Sequence, residues 1–273
     1  MNFSSLLRRD WSALGVVALL AVSPAALPAQ TDRAPVGKIY VASLEGGAQI
    51  ATGDNIEAVT AKSIFVAQGS AIETKPRGVL AMVFSNGTGI ALDPETHIDV
   101  KHFTQETFTA SRTDLELEPS VSQTQVFVAR GTLAASTSKL AAGSVMNFLT
   151  PLGSINLHGG KVVIEVEGGS SKISLLEGEG TVRGGDLDLG GKVIHAGEQA
   201  LIRPGPPGEP NLVVIRKIPA EELTALEEHA ALAYQARKTV FFATDATGEI
   251  TVVPVVPTSV PVQATISPAK LPN

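Results

Sequence analysis

Short apolar runs, separated by glycine, asparagine, aspartate, serine and proline, recur from Gly37 to about Val214 of the 273-residue chain. Their spacing of roughly 8–12 residues is typical of short strands in sheets. The run Val79–Phe84 is apolar throughout and predicts a strand buried on both faces. Asn86-Gly87 follows it and is a strong hairpin signal. The pattern predicts an all-β fold, either a double-sheet sandwich or a rolled β-structure.

One later segment has the period of a helix instead. Pro219 and Glu222 are suited to a first helical turn, Arg237 to a last one, and the apolar residues between them recur on one face. These signals predict one C-terminal amphipathic helix over 219–238, within a helical segment of 217–239. We expect this helix to cover an edge or a face of the sheets.

The remaining boundaries follow from composition. Residues 30–216 form the predicted β-domain, interrupted by a polar excursion over 104–123 that is expected to be exposed. Residues 240–273 are rich in proline and valine and predict an extended tail, although apolar stretches near its start could add strands. The acids of the excursion, the predicted helix and the tail are candidate contact surfaces. Those acids are Asp114, Glu116 and Glu118.

The N-terminus has the three parts of a secretory signal peptide. Arg8 and Arg9 precede an apolar stretch over 13–22, and small residues lead to a cleavage point after Ala29. The apolar stretch is about half the ~20 residues that span a bilayer as a helix. We therefore predict a signal peptide over 1–29, with an uncleaved anchor as the alternative. The mature chain would be periplasmic or extracellular, with no transmembrane span.

Composition excludes several classes of chemistry. The chain has no cysteine, so it has no disulfide, thiolate metal site or thiol nucleophile. Its net charge is −6, and loss of two arginines and Asp10 with the signal peptide brings it to −7. That balance argues against nucleic acid as a partner. Aromatic residues make up 4% of the chain, which disfavours sugar-stacking platforms.

Two blocks of sequence combine strand patterns and turn residues in a characteristic order. The first runs from Gly69-Ser-Ala-Ile-Glu-Thr74 through Val79–Phe84 and Ser85-Asn-Gly87 to Ile98-Asp-Val100. The second runs from Phe148-Leu-Thr150-Pro151 through Gly153, His158-Gly159 and Glu177-Gly178 to Ala196-Gly197-Glu198-Gln-Ala200. Together they resemble the FecR family of periplasmic β-domains, and the resemblance covers about residues 37–203. Gly160 departs from the family pattern, because a threonine often follows the glycine there.

The resemblance implies a fold and a binding role, and it transfers no catalytic residue. The best-known members of the family have a cytoplasmic helical segment that engages a sigma factor. Only about a dozen residues precede the apolar stretch here, so we expect a stand-alone form without that segment.

Chemistry-bearing residues are few. His97 and His102 flank a predicted strand with Asp99, which makes a metal site conceivable, with solvated edge residues as the favoured interpretation. The other histidines are His158, His195 and His229. Ser-His-Asp and dinucleotide motifs are not matched. No catalytic, cofactor-binding or metal-binding residue is therefore assigned, and no cofactor is expected.

The sequence favours an exported, non-enzymatic protein that acts through protein–protein or envelope interaction, with a protein partner in the cell envelope and a signalling accessory as one such role. The alternative is a carbohydrate- or cell-wall-binding module with a glycan partner. An exported hydrolase is a third hypothesis, based only on the available carboxylates and histidines.

Overall fold

The computed structural model of the chain describes residues 37–109, 115–245 and 247–255. The predicted signal peptide over 1–29 and the tail beyond Val255 lie outside the described residues. The elements are β1 (Lys38–Glu45), β2 (Ala48–Thr52), β3 (Asn55–Ala58), β4 (Ile64–Val66), β5 (Ser70–Thr74), β6 (Val79–Phe84), β7 (Gly89–Leu92), β8 (His97–Gln105), β9 (Ser122–Ser136), β10 (Val145–Leu149), β11 (Ser154–Glu167), β12 (Ser170–Arg183), β13 (Lys192–His195), β14 (Glu198–Arg203), β15 (Leu212–Lys217), α1 (Ala220–Arg237), β16 (Val240–Thr244) and β17 (Ile250–Pro254).

Fifteen of these strands form one hydrogen-bonded sheet that is folded into two layers. The first layer has the order β3-β2-β5-β8-β9-β10-β11-β12-β13, and the second has the order β4-β1-β6-β7-β9-β11-β12-β14-β15. The long strands β9, β11 and β12 contribute one half to each layer. The fold is therefore all-β and two-layered, as the sequence predicts, with β-strands that pass from one layer to the other.

Glycines occur at the points where β9, β11 and β12 pass from one layer to the other. In β9 the partner strands change at Gly131, whose φ is +85° and whose added Cβ would lie 2.4 Å from Thr96 Oγ1. In β11 and β12 the register is interrupted beside Gly160, which pairs with Gly178. An added Cβ on Gly160 would lie 1.9 Å from the backbone oxygen of Glu177. Gly160, the departure from the family pattern, is thus required by close backbone approach.

Aliphatic side chains of both layers share one core. Alternate residues of the strands point inward, so that β5, β8 and β9 show alternating buried and half-buried positions. The largest buried side chains include Phe84 and Phe103, whose rings meet edge to face with centroids 5.6 Å apart. Phe148 is buried in the same cluster. This packing stabilises the domain in a chain that has no cysteine.

The C-terminal helix covers the outer face of the second layer. Leu226, Ala230 and Ala233 of α1 pack against Ala91, Ala134 and Val163 of β7, β9 and β11. Ion pairs hold it in place, with Lys172 Nζ 2.8 Å from Glu222 Oε2 and His229 Nδ1 3.1 Å from Asp93 Oδ1. The predicted helix is confirmed, and it covers a face rather than an edge.

The start of the predicted tail also covers the second layer. Strands β16 and β17 form a hairpin, and Val240, Phe242 and Ile250 pack against Ala81 and Val83 of β6. Since β6 also faces the core, it is buried on both sides, as its apolar run predicts.

The polar excursion differs from its prediction at its ends and in its burial. Residues 104–105 belong to β8 and 122–123 to β9. Glu118, expected to be exposed, is buried; its carboxylate accepts hydrogen bonds from Ser122 Oγ at 2.5 Å and from the Ala141 amide at 2.7 Å. Ser122 Oγ also accepts a bond from Asn86 Nδ2 at 3.1 Å. Asp114 lies outside the described residues.

Within the described part of the chain, the helix is not apolar enough to cross a membrane.

Candidate interaction groove

The two outer faces of the folded sheet differ. The helix and the β16–β17 hairpin cover the second layer, whereas the outer face of the first layer carries half-buried polar side chains. Gln125 of β9 pairs with Asn147 of β10, which pairs with Asn156 of β11. The register therefore places a row of amide side chains across three neighbouring strands of this face.

Beside that row lies an open groove of about 630 Å³, which we call the groove. One wall is the sheet surface of β9 and β10, and the other is the loop between β12 and β13 together with residues 209–211. Its side chains are Gln125, Phe127, Asn147, Leu149, Thr150, Pro151, Ser154, Arg183, Asp186, Leu187, Asp188, Leu189, Glu209, Pro210 and Asn211.

Asp188 shapes the loop wall. Its carboxylate accepts the backbone N–H of Gly184 and that of Gly191, each at 2.9 Å. These two bonds close the loop on itself, as aspartate commonly does in turns. The Gly184 N–H, followed by that of Gly191, lowers the pKa of Asp188 from its usual value, because both bonds favour the charged carboxylate.

The loop exposes two leucine side chains to solvent. Leu187 is 59% exposed and Leu189 is 86% exposed, although both side chains are strongly apolar. Asp188 lies between them and accepts one backbone hydrogen bond at each carboxylate oxygen. The leucines are therefore exposed on a turn whose backbone is held by these two bonds, which we call the braced loop. Leu149 of β10 and Phe127 of β9 add apolar surface on the opposite wall.

The end of the groove is built from the Thr-Pro-Leu-Gly turn of the second sequence block. Thr150 Oγ1 accepts the Gly153 N–H at 3.1 Å, and the Thr150 N–H donates to the Gly153 carbonyl at 2.7 Å. Asn211 Nδ2 donates to the Leu152 carbonyl at 2.6 Å, and the Asn211 N–H donates to the Gly184 carbonyl at 2.8 Å. Asn211 therefore joins the two walls.

The groove combines aliphatic walls with an amide floor and charges of both signs. Leucine and phenylalanine surface can bury apolar side chains of a partner, and glutamine and asparagine can bond its backbone. Phe127 is not a free platform, since Lys101 Nζ lies 5.5 Å from its ring centroid.

The histidines fall in three places. The predicted pair is formed, with His97 Nε2 3.2 Å from Asp99 Oδ1, and Asp99 also binds Lys101 Nζ at 2.8 Å. His102 instead lies 3.4 Å from Thr104 Oγ1. His97 and Asp99 are thus paired, whereas His102 contacts Thr104.

The other three histidines have acidic neighbours that are remote in sequence. His229 pairs with Asp93, as described above, and His158 and His195 both lie beside Glu179. The sequence pattern did not connect His158, Glu179 and His195, because their proximity depends on the pairing of β11, β12 and β13.

Comparison with known proteins finds one matching family model and similar crystal structures. Residues 70–180 match the family model described as "FecR protein". No curated protein matches the sequence. Two crystal structures of a "putative anti-sigma factor" from Parabacteroides distasonis ATCC 8503 are similar, with 10% identity and TM-scores of 0.41 and 0.40; each match covers 68% of this chain and 99% of the other.

Proposed function

We propose that this chain, a FecR-domain protein, is an exported regulator that binds a protein partner in the cell envelope through the groove. It acts as a signalling accessory and carries out no reaction of its own. Its place is the periplasm or the extracellular side, as the predicted signal peptide implies.

The observation that carries this proposal is the solvent exposure of Leu187 and Leu189. Exposed apolar side chains on a braced loop, next to a half-buried apolar wall, are typical of protein-binding surfaces. The energy of such interfaces is concentrated in a few central side chains. Leu189 is the prime candidate, because its exposed apolar area would be removed from water on binding.

A regulatory rather than enzymatic role is supported by the composition of the groove. Its described lining contains amides, leucines, one arginine, three acids and the hydroxyls of Thr150 and Ser154, and it contains no histidine. The histidine–acid pairs lie elsewhere on the surface or on the helix. Thr150 Oγ1 bonds the backbone of Gly153 rather than a base, and a groove of this kind offers binding contacts.

Affinity capture from envelope extracts tests the proposal. The wild-type mature chain is compared with a Leu187→Asp/Leu189→Asp variant and with Ile56→Asp, a control on β3 at a similarly exposed position, 66% accessible. We expect one protein to be captured by the wild type and the control and to be lost with the double variant. Equal capture by all three would contradict the groove as the binding site.

The same preparations test the glycan alternative. We expect no retention of the wild-type chain on purified peptidoglycan at high salt. Retention that the double variant loses would assign the groove to a wall polymer instead.

A further inference from the structure

Strand β15 (Leu212–Lys217) is the last strand of the second layer. Among the described strands it pairs with β14 alone. The N–H of Ile218, directly after β15, donates to the carbonyl of Gly197 at 2.9 Å, and this bond sets the phase of the ladder. Because hydrogen-bonded pairs alternate in an antiparallel ladder, the even-numbered residues of β15 bond β14, and the odd-numbered residues direct their N–H and C=O groups away from it. The outward-directed residues are Val213, Ile215 and Lys217.

The outer edge of β15 is therefore open over part of its length. The Val213 carbonyl accepts a hydrogen bond from Lys192 Nζ at 2.7 Å, in agreement with its outward direction. The N–H and C=O groups of Ile215 and Lys217 make no backbone hydrogen bond to any described residue. Unpaired groups at the edge of a sheet are a template on which an extended segment can pair as an additional strand. We call these two residues and Arg216 between them the open edge.

The side chains along β15 are apolar at one end and basic at the other. Leu212 is 57% exposed and Val214 is 45% exposed, and both lie on the same outer face as Arg216. Arg216 Nη2 lies 3.7 Å from Glu222 Oε1, which is beyond hydrogen-bond distance. Lys217 is exposed and forms no ion pair with a described residue. A strand that pairs with the open edge therefore meets two cations that are available to acidic side chains.

Charge argues against two occupants that the chain itself could supply. In an antiparallel pairing of two copies centred on Ile215, Arg216 of one copy would lie diagonal to Arg216 of the other, about 7–8 Å away on the same face. Such a juxtaposition of like charges is unfavourable. Residues 256–273, which follow the described part of the chain, contain one lysine and no acidic side chain. Charge complementarity instead favours an acidic segment of another protein.

We propose that the open edge of β15 receives an extended, acidic segment of a partner protein as an added antiparallel strand. Its acidic side chains lie opposite Arg216 and Lys217, and an apolar side chain lies opposite Val214. Backbone hydrogen bonds to Ile215 and Lys217 supply affinity, and the charge pattern supplies specificity. The open edge is separate from the groove, since none of its residues lines the groove.

NMR on the isotope-labelled mature chain tests the proposal with the peptide acetyl-Thr-Glu-Glu-Thr-Val-Thr-Val-amide. In the proposed register its two glutamates lie opposite Lys217 and Arg216, and its first valine lies opposite Val214. We expect saturable shifts of the Ile215 and Lys217 amide signals and slower exchange of both amides with solvent. The amide of Ile56, on the edge strand β3, should not respond.

Two control peptides separate charge from backbone pairing. Replacement of both glutamates by lysine should abolish the shifts, because the added charges repel Arg216 and Lys217. N-methylation of the second and fourth peptide residues should abolish them as well, because it removes the N–H groups that face the open edge.

Variants of the chain test the same two contributions, with thermal unfolding as the check of the fold. Lys217→Pro removes an N–H that β14 does not use, and proline is tolerated at such a position of an edge strand. It should bind the peptide at least about fivefold more weakly than Lys217→Ala, its matched control for the lost charge. Arg216→Glu should weaken binding by at least about tenfold through repulsion. The Leu187→Asp/Leu189→Asp variant of the groove should bind the peptide as the wild type does.

Three results would overturn the proposal. They are the absence of saturable shifts at Ile215 and Lys217, equal binding of the lysine peptide, and equal affinities of Lys217→Pro and Lys217→Ala. A concentration-dependent dimer that Lys217→Pro abolishes would assign the open edge to a second copy of the chain and would contradict the proposal equally.

Discussion

Arg237 Nη1 lies 3.2 Å from Glu116 Oε2 and so joins the end of α1 to the polar excursion, 121 residues earlier in the chain. Arg237 is only 4% exposed and also donates from Nη2 to the Leu115 carbonyl at 2.5 Å. Lys238 shares the same carboxylate. The excursion is therefore fastened to the helix that covers the second layer.

Removal of the Glu116 carboxylate should destabilise the domain. Glu116→Ala leaves Arg237 buried with one charged partner fewer, a loss of about 1–3 kcal/mol in the free energy of unfolding. Urea denaturation of the mature chain measures it. Glu249→Ala is the control, because its 3.3 Å pair is with Lys38, whose side chain is 19% exposed against 3% for Arg237. That pair should contribute at most about 1 kcal/mol. Similar losses for both variants would contradict the structural role of Arg237.

The pair between His229 and Asp93 should make stability depend on pH. The hydrogen bond to Asp93 raises the pKa of His229, and burial opposes that rise. The stabilisation is therefore fully present below the unfolded pKa of about 6.5 and is lost as pH rises through the folded pKa. We expect His229→Gln to be less stable than the wild type at pH 5.5, with the difference shrinking toward pH 9. Unfolding curves across that range measure it.

A constant difference across that pH range would show that His229 acts only through packing. His102→Gln is the control, since His102 has a hydroxyl neighbour rather than an acid.

Position 160, where β11 passes from one layer to the other, should not tolerate a side chain. Gly160→Ala places a Cβ 1.9 Å from the Glu177 carbonyl oxygen at a φ of +115°. Overpacking and backbone strain together should cost about 3 kcal/mol or more. Gly168→Ala, at a φ of +57° with nothing within 4 Å, should cost only about 1–2 kcal/mol. Thermal unfolding of the two variants compares them, and equal losses would contradict the layer crossing at Gly160.

The braced loop of the groove should loosen without Asp188. Asp188→Ala removes the acceptor of the Gly184 and Gly191 amides, so both should exchange hydrogen faster, while core amides of β6 keep their protection. Because these bonds lower the pKa of Asp188, the bracing is present above the unfolded pKa of about 3.9 and is lost as pH falls through the folded pKa. Amide exchange measured by NMR tests this. Unchanged exchange at Gly184 would contradict the role given to Asp188.

Local signals in the sequence predicted local structure well. Val79–Phe84 is β6 itself, because an apolar run followed by Asn-Gly specifies both a strand and its end. The predicted helix over 219–238 corresponds to Ala220–Arg237, because proline and acids favour its start and its apolar residues share one face.

Features that depend on distant partners were not predictable in this way. Alternating acids suggest an exposed edge, but Glu118 is buried since Ser122 and Ala141 bond its carboxylate. His158 and His195 lie 37 residues apart, and only the pairing of β11, β12 and β13 brings both to Glu179. The groove likewise depends on a tertiary contact, the hydrogen bond between the loop after β12 and Asn211.

Site-specific photo-crosslinking tests the central claim, that the groove binds a protein partner. A benzophenone amino acid replaces Leu189 in the full chain in intact cells, with Ile56 as the control position of comparable exposure. We expect one protein adduct from position 189, lost when Leu187→Asp is added, and no such adduct from position 56. The same adduct from both positions, or no adduct from position 189, would contradict it.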